Sequence, residues 1–475
     1  MSARTTLLSF RLVAAVMDRL PAMRDLIVRF YNWQEEKFPQ LLTLELWVFD
    51  TFLIISETLF FLCKPLLMLH PRMRQLAERH LNLTRNLLAL SRTEAVLSHY
   101  RQNNPANVYL NFSQKILERA EDLDAEVFLS HGVQALPAAF SLSSRLGRPY
   151  YCDCVESPSF FDRAIPSQWH VTNTEMLDNA FESYLRRADG VLTIGWTLAD
   201  NLRGLNAEVS VIPNYRASMA PVSSNKLREM CEVTAEEEVI LSLSTVTSGF
   251  REVLGALPHL PENVHLASIG NYVPASYGDE CRQLADELGV ADRYHTFPPV
   301  PYDELVPTIS SADVGLFVCD TSIKNNAVSL PNRVFDFMAA GVPLCAPDIP
   351  DISKIIQTEN MGGVVTKLSA TGWAETIKEV LAAKTDARAN ALAASTKYTW
   401  ESVEADLYTA LGRPKSICIL GATDLTINNR TRRIAKSLRG FGCEVKICFL
   451  VRGDDAREPH QGEDGVYYVP VHRSF

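Results

Sequence analysis

Short apolar runs alternate with helix-like stretches twice over along this chain, and that alternation is the strongest constraint on what it can fold into. The first series has runs at 126–130, 149–153, 190–194 and 209–212, and the second at 239–244, 264–269, 294–297, 314–318 and 343–346. Strands separated by helix-length connections pair in parallel, because each crossover helix returns the chain to the same end of the sheet. The predicted class is therefore α/β with two parallel, Rossmann-like sheets. Between the series, residues 213–225 turn polar around Pro213 and Pro221, which marks a linker.

The two ends of the chain break this rhythm. Residues 5 to about 120 read as helical, with almost no glycine and no alternating run, so the first domain lacks an opening strand. Residues 416–420 and 445–450, by contrast, read as strands around an amphipathic helix, 429–438, with Ile434, Leu438 and Phe441 on its apolar face. A β-α-β opening unit thus stands near the end of the sequence. Circular permutation resolves both oddities, with 416–475 completing the N-terminal sheet; a truncated second copy is the alternative. The expected domains are 1–218 plus 416–475, helical in 1–120, and 219–395, followed by a returning helix at 396–415 within one long helical pattern from 370 to about 411.

A chain of 475 residues has room for two or three cores. Its net charge of −10 lacks the basic footprint that nucleic-acid binding requires, so nucleic acid is not an expected partner. The ten cysteines are scattered, and Cys152/Cys154 and Cys443/Cys448 lack zinc-ligand spacing and a second matching pair, so the cysteines read as reduced and mostly buried. Arg4, Arg11 and Asp18 interrupt the apolar opening, which argues for a cytoplasmic protein. The most apolar stretch, 41–69, carries Glu45, Asp50, Glu57 and Lys64 at spacings that suit a pair of domain helices better than a span. The sharper alternative is a peripheral contact with the inner membrane face through Trp47, Phe52, Phe60 and Phe61.

Chemistry concentrates in residues 329–348, Ser-Leu-Pro-Asn-Arg-Val-Phe-Asp-Phe-Met-Ala-Ala-Gly-Val-Pro-Leu-Cys-Ala-Pro-Asp. Pro331 opens a helix and Gly341 stops it, and unsatisfied amides at such a helix start favour a diphosphate. Asp336, one turn inside, is placed to accept hydrogen bonds from ribose hydroxyls. This segment resembles the donor-site motif of retaining GT-B glycosyltransferases of family 4, in the form Leu-Pro-Asn-Lys-x-Phe-Glu-Tyr-Met-x-Ala-Gly. Further pieces fall in family order over roughly 350 residues: "VFLSHGVQALPAA" at 127–139, "RADGVLTIG" at 187–195, "VIPN" at 211–214, "LPENVHLASIG" at 260–270 and "FPPVPYDEL" at 297–305. The "INNRTRRIAKSLRGFGCEVKIC" segment resembles the family's usual first helix and second strand, in keeping with permutation.

The resemblance implies a GT-B fold and a donor site at Leu330, Asn332, Arg333 and Asp336, with Ser248 and Arg251 near the diphosphate. The implied donor is a nucleotide-diphosphate sugar, UDP- or GDP-linked, used without a cofactor or metal, and the acceptor is a saccharide or lipid-linked glycan precursor. Three positions depart from the pattern. Val328 replaces the first Glu of Glu-x7-Glu, Ser248 stands where a basic clamp is usual, and Val155 replaces the His of Asp-x-His-Glu while Asp153 and Glu156 remain. His131, at the carboxyl end of a strand, is a candidate for the cleft. Together with Glu156 it forms the candidate catalytic pair, and Asp153, Arg430 and Arg433 are candidates for the acceptor side. The leading expectation is a retaining, metal-independent hexosyl transferase of polysaccharide biosynthesis. Because of the departures, a non-catalytic GT-B binding or partner protein stands beside it, and behind that a sugar-nucleotide epimerase or hydrolase.

Overall fold

The computed structural model describes residues 108–118, 123–157, 174–243, 246, 249–421, 425, 428–451 and 458–472. Two compact units divide the chain, residues 1–111 with 169–183, and residues 112–168 with 184–475. Of the first unit, the described residues lie in the helices Val108–Glu118 and Thr174–Leu185. The expected helices before residue 108, including 41–69, lie outside the described residues.

Both sheets belong to the second unit. Their strands form where apolar runs can be buried on both faces, the pattern that parallel sheets demand. β1 (Val127–His131), β2 (Tyr150–Cys154), β3 (Gly190–Thr193) and β4 (Val209–Val211) pair in parallel in that order. On the far side of β1 the same sheet continues through β11 (Ser416–Gly421), β12 (Glu444–Val451) and β14 (Tyr467–His472), and ends on the two-residue antiparallel β13 (His460–Gln461). β11 is thus an inner strand, in register with β1 from Val127↔Ile417 to His131↔Gly421. The second sheet has the order β10-β9-β8-β5-β6-β7, all parallel, from β5 (Glu238–Leu243), β6 (Val264–Ile269), β7 (Tyr294–Phe297), β8 (Val314–Leu316), β9 (Leu344–Pro347) and β10 (Gly362–Val365).

Close approach fixes two glycines in the second sheet. A Cβ on Gly315 in β8 would lie 2.5 Å from the Phe337 ring, and one on Gly362 in β10 would lie 1.9 Å from the Leu344 carbonyl oxygen. A side chain at Gly362 would collide with backbone, and one at Gly315 would have to displace the Phe337 ring. One apolar cluster runs from Val127, Leu129 and Ile417 of the first sheet to Leu241, Phe335 and Trp400, so the sheets share buried surface. Asp351, in the first turn of Pro350–Glu359, reinforces that join. It accepts from Thr197 N at 3.1 Å and Thr197 Oγ1 at 2.9 Å, capping the helix Trp196–Arg203 from outside. Gly195 leaves room for this carboxylate, since a Cβ there would stand 2.5 Å from Asp351 Oδ2.

Two sequence expectations need correction. The long helical pattern from 370 breaks into Ala370–Ala382, Lys384–Ser395, a 3₁₀ turn at Trp400–Ser402 and Glu404–Ala410. Ala383 leaves the helical conformation as Lys384 turns to bind Glu238 at 2.5 Å and Asp313 at 2.9 Å, and Trp400 N donates to the Arg216 carbonyl at 2.9 Å. Tertiary contacts therefore override a continuous helical periodicity. In the helix Asn429–Gly440, Ile434 and Leu438 are buried as expected, but Phe441 is 43% exposed and stacks on Tyr408 at 4.6 Å. Among the described residues, no helix is long and apolar enough to cross a membrane.

Candidate functional site

The helix Asn332–Ala339 begins directly after Pro331, which has extended backbone and supplies no side-chain cap. Its first amides therefore lack the side-chain acceptor that most helix starts carry, which suits an anion. Gly341, at φ 64°, ends the element as its sequence position predicts. Leu330 is fully buried, and Asn332 is exposed at the first helical position. Arg333 turns back toward the sheet. Its Nη1 donates to the Leu243 carbonyl at the end of β5 (3.1 Å), and its guanidinium lies 4.6 Å over the Phe317 ring just beyond β8. Because β5 and β8 are neighbours, this cation stands at the carboxyl edge of the sheet, where open α/β sheets bind ligands. Arg251 is exposed in the first turn of Phe250–Ala256, whereas Ser248 lies outside the described residues.

Asp336 sits one turn deeper and is 5% exposed. Its Oδ1 accepts from Arg216 Nη1 at 2.6 Å, while Oδ2 has no hydrogen-bond partner among the described residues. Burial pushes this carboxyl up, and the guanidinium groups of Arg216, Arg433 and Arg333 pull against it. The departure at Val328 is half-buried at the end of the short helix Lys324–Ala327 and offers no polar atom beyond its backbone.

The first sheet has its own constellation. At the carboxyl ends of β1 and β2, His131 Nδ1 and Asp153 Oδ2 are 2.8 Å apart, with His131 8% exposed and Asp153 fully buried. Arg430, in the first turn of Asn429–Gly440, closes on the same carboxylate, with Nε 2.8 Å from Oδ2 and Nη2 2.7 Å from Oδ1. Its remaining nitrogen donates to the Ile212 carbonyl and to Asn214 Oδ1, at 2.8 and 2.9 Å. Burial alone would raise the Asp153 carboxyl, but the Arg430 charge and the bonds from His131 and Arg430 hold it well below the usual carboxylate range. Arg433, one turn on, donates to the Tyr215 carbonyl at 2.7 Å and lies 5.1 Å over the Trp400 ring.

These contacts pair two of the acceptor-side candidates with each other. Arg430 and Asp153 are occupied by each other inside the protein and are not presented to an acceptor, because an unpaired charge so deeply buried would be costly. His131 takes Asp153 as its partner, and Glu156 is exposed just beyond β2. What the side chains do form is a polar chain, from His131 through Asp153, Arg430, Asn214 and Arg433 toward Asp336 and Arg216. It threads the linker between the two sheets.

Two sheets of largely parallel strands joined by helices are an arrangement with solved counterparts. A sucrose-phosphate synthase from Thermosynechococcus elongatus superposes with a TM-score of 0.52 at 16% identity, over 64% of this chain and 79% of its own. The Anabaena protein Alr3699/HepE, solved in complex with UDP, gives 0.51 at 18% identity, over 63% and 81%. The fold is GT-B. Within this GT-B chain, residues 237–383, from β5 to the end of the helix after β10, match the family described as glycosyl transferases group 1. A D-inositol 3-phosphate glycosyltransferase from Mycolicibacterium gilvum is 29% identical over 167 residues, 34% of this chain. The chain spans only 36% of that relative's length. Arg333 and Asp336 lie inside the family match, and the His131 cluster lies outside it.

Four residues that make these contacts were not singled out in the sequence, namely Asn214, Arg216, Phe317 and Asp351. Asn214 closes the "VIPN" run, and a buried-polar reading of the linker would have found it. Arg216 and Asp351 act on elements more than a hundred residues away, and no local pattern announces them.

Proposed function

We propose that this chain is a glycosyltransferase that holds a nucleoside diphosphate sugar at the carboxyl edge of its second sheet. The observation that carries the reading is the placement of Arg333 across β5 and β8, beside the uncapped start of its own helix, inside the segment that matches glycosyl transferases group 1. In this reading the helix start and Arg333, with Arg251 in reach from its own helix start, take the diphosphate, and Asp336 takes ribose. The negative charge that develops on the leaving diphosphate would be offset by Arg333, Arg251 and the helix-start amides without a metal ion. The donor is UDP- or GDP-linked, and the Anabaena structure with UDP supports a uridine donor as the first to try. The acceptor is a saccharide or lipid-linked precursor in glycan synthesis.

For a retaining transfer, the anomeric carbon–oxygen bond to the diphosphate breaks, the acceptor oxygen forms its bond on the same face, and the acceptor proton passes to the departing phosphate oxygen. Positioning, more than a protein base, drives such a step. We read the placement of β11, β12 and β14 beside β1 as circular permutation, supported by the unbroken register of β11 with β1. Placement in the cytoplasm, with a peripheral membrane contact through residues 41–69, completes the proposal.

One observation favours a second reading, a GT-B binding protein without transfer: Asp336 is ion-paired and Val328 is apolar where a sugar hydroxyl needs an acceptor. Calorimetric titration with UDP- and GDP-sugars, repeated on Asp336→Ala, separates the cases. Binding of one donor by the parent chain, lost in the variant, is expected, and an acceptor screen then scores turnover. Binding without turnover of any acceptor supports the second reading, and failure to bind any donor overturns both.

A further inference from the structure

The linker residue Arg216 has contacts on every side. Its backbone carbonyl accepts from Trp400 N at 2.9 Å, and it bridges in parallel to Thr399, so the main chain is pinned to the returning segment. Its guanidinium lies 4.4 Å over the Tyr302 ring, donates to the Tyr302 carbonyl at 3.5 Å, and binds Asp336 Oδ1 at 2.6 Å with both side chains largely buried. One oxygen of Asp336 is thereby fixed, and the other is left with no protein partner among the described residues. A carboxylate held in this way has its free lone pairs aimed by the arginine that grips it.

We propose that Arg216 is a positioning residue for the donor site, holding Asp336 oriented from the linker so that its free oxygen accepts a nucleotide hydroxyl. The proposal rests on the donor reading given above. It also makes the linker a part of the nucleotide site, since the same short segment is gripped by Arg430 at Ile212 and Asn214 and by Arg433 at Tyr215. The groups facing Asp336 are Arg216 from the linker, Arg333 from its own helix and Arg433 from Asn429–Gly440. Of these, Arg216 alone bonds it directly. Burial already raises this carboxyl against the pull of the three guanidiniums, and loss of the Arg216 bond removes the strongest of those pulls, so the carboxyl gains a proton still more readily, and nucleotide affinity should fall and recover as pH rises.

The test uses the full chain and titrates uridine diphosphate and guanosine diphosphate by calorimetry between pH 6 and pH 9. Arg216→Ala is expected to weaken whichever nucleotide the parent binds by about tenfold to a hundredfold at pH 6.5, the size of a lost charge-assisted hydrogen bond. That deficit should shrink toward pH 9, and the pH dependence should be steeper in the variant than in the parent. Arg216→Lys keeps the charge and is expected to restore much of the affinity, and Asp336→Asn added to Arg216→Ala should cost little more. Should the parent bind and Arg216→Ala match it at every pH, the role of Arg216 is overturned while the donor reading stands. If the parent binds neither nucleotide, the donor reading falls and the role of Arg216 falls with it. An affinity loss in Arg216→Ala that is the same at every pH, unrelieved by Arg216→Lys, would mark a merely structural arginine and also overturn the proposal.

Discussion

Replacing Asp153 by Asn keeps its shape and removes its charge, and it strikes the most enclosed polar contact of the first sheet. The fully buried carboxylate accepts from Arg430 Nε and Nη2 and lies 2.8 Å from His131 Nδ1. An amide has one acceptor oxygen for these donors and turns an N–H₂ group toward them. Arg430, only 4% exposed, is left without a counter-charge. Breaking a buried pair from one side costs about 3–5 kcal/mol, and for a domain of this size that lowers the thermal midpoint by about 6–20 °C. The double variant Asp153→Asn with Arg430→Met should regain much of that loss, because a buried pair replaced as a whole by apolar volume is often neutral. The pH dependence carries a second signature. Since the folded-state pKa of Asp153 is depressed, its stabilisation is fully present above the unfolded carboxylate pKa of about 4 and is lost as pH falls through the folded value. The Asn variant should therefore lose stability less steeply in acid than the parent. Scanning calorimetry at pH 7 and below about pH 3 measures both effects. A midpoint shift under about 2 °C at pH 7, or a double variant no better than the single, would refute the claim that this ion pair is buried and paired as described.

Two further outcomes follow from packing and titration. Gly315→Ala should destabilise the second sheet by about 1–3 kcal/mol, since its new methyl meets the Phe337 ring, and urea unfolding followed by fluorescence measures it. In the same sheet, His295 stacks on His265, with Nε2 of one 3.0 Å from Nδ1 of the other, and burial first and the neighbouring imidazole second push His295 below its ordinary value. A folded-state pKa below the unfolded one means that the unfolded chain binds the proton more readily, so stability should fall as pH drops below about 6.5. His295→Phe should flatten the stability profile between pH 7 and pH 5, and an unchanged slope in urea melts would count against the account.

The strands were legible because parallel sheets bury both faces. The runs at 264–269 and 294–297 coincide with β6 and β7, and the other expected strands lie within two residues of their observed ends. β10 was missed because Gly362 and Gly363 break its apolar pattern, and the reason for those glycines, a backbone carbonyl under Gly362, exists only after β9 has docked. β14 was missed because Pro470 reads as a breaker. It is tolerated because β13 pairs only with Tyr467 and Tyr468, so the outer side of Pro470 needs no amide. In the site, Arg333 and Asp336 were visible as a motif, but the partners that give them geometry are remote in sequence. The basic face of Asn429–Gly440 suggested a surface for anions, yet Arg430 turned inward, because Asp153 lies where only the folded sheet brings it.

The position of β11 sets a timetable for synthesis. β1 and β11 are neighbours in space, but roughly 200 residues separate the end of β4 from the start of β11. Counted from the completion of β4, a ribosome working at about 5–20 residues per second would leave the edge of β1 without its partner for a further ten to forty seconds or so, while the intervening second sheet is made and can close by itself. An open parallel edge of that apolar character invites pairing with another nascent chain. Production of this protein should therefore be sensitive to holding chaperones and to growth temperature, in a way that the stability of the finished molecule does not foretell.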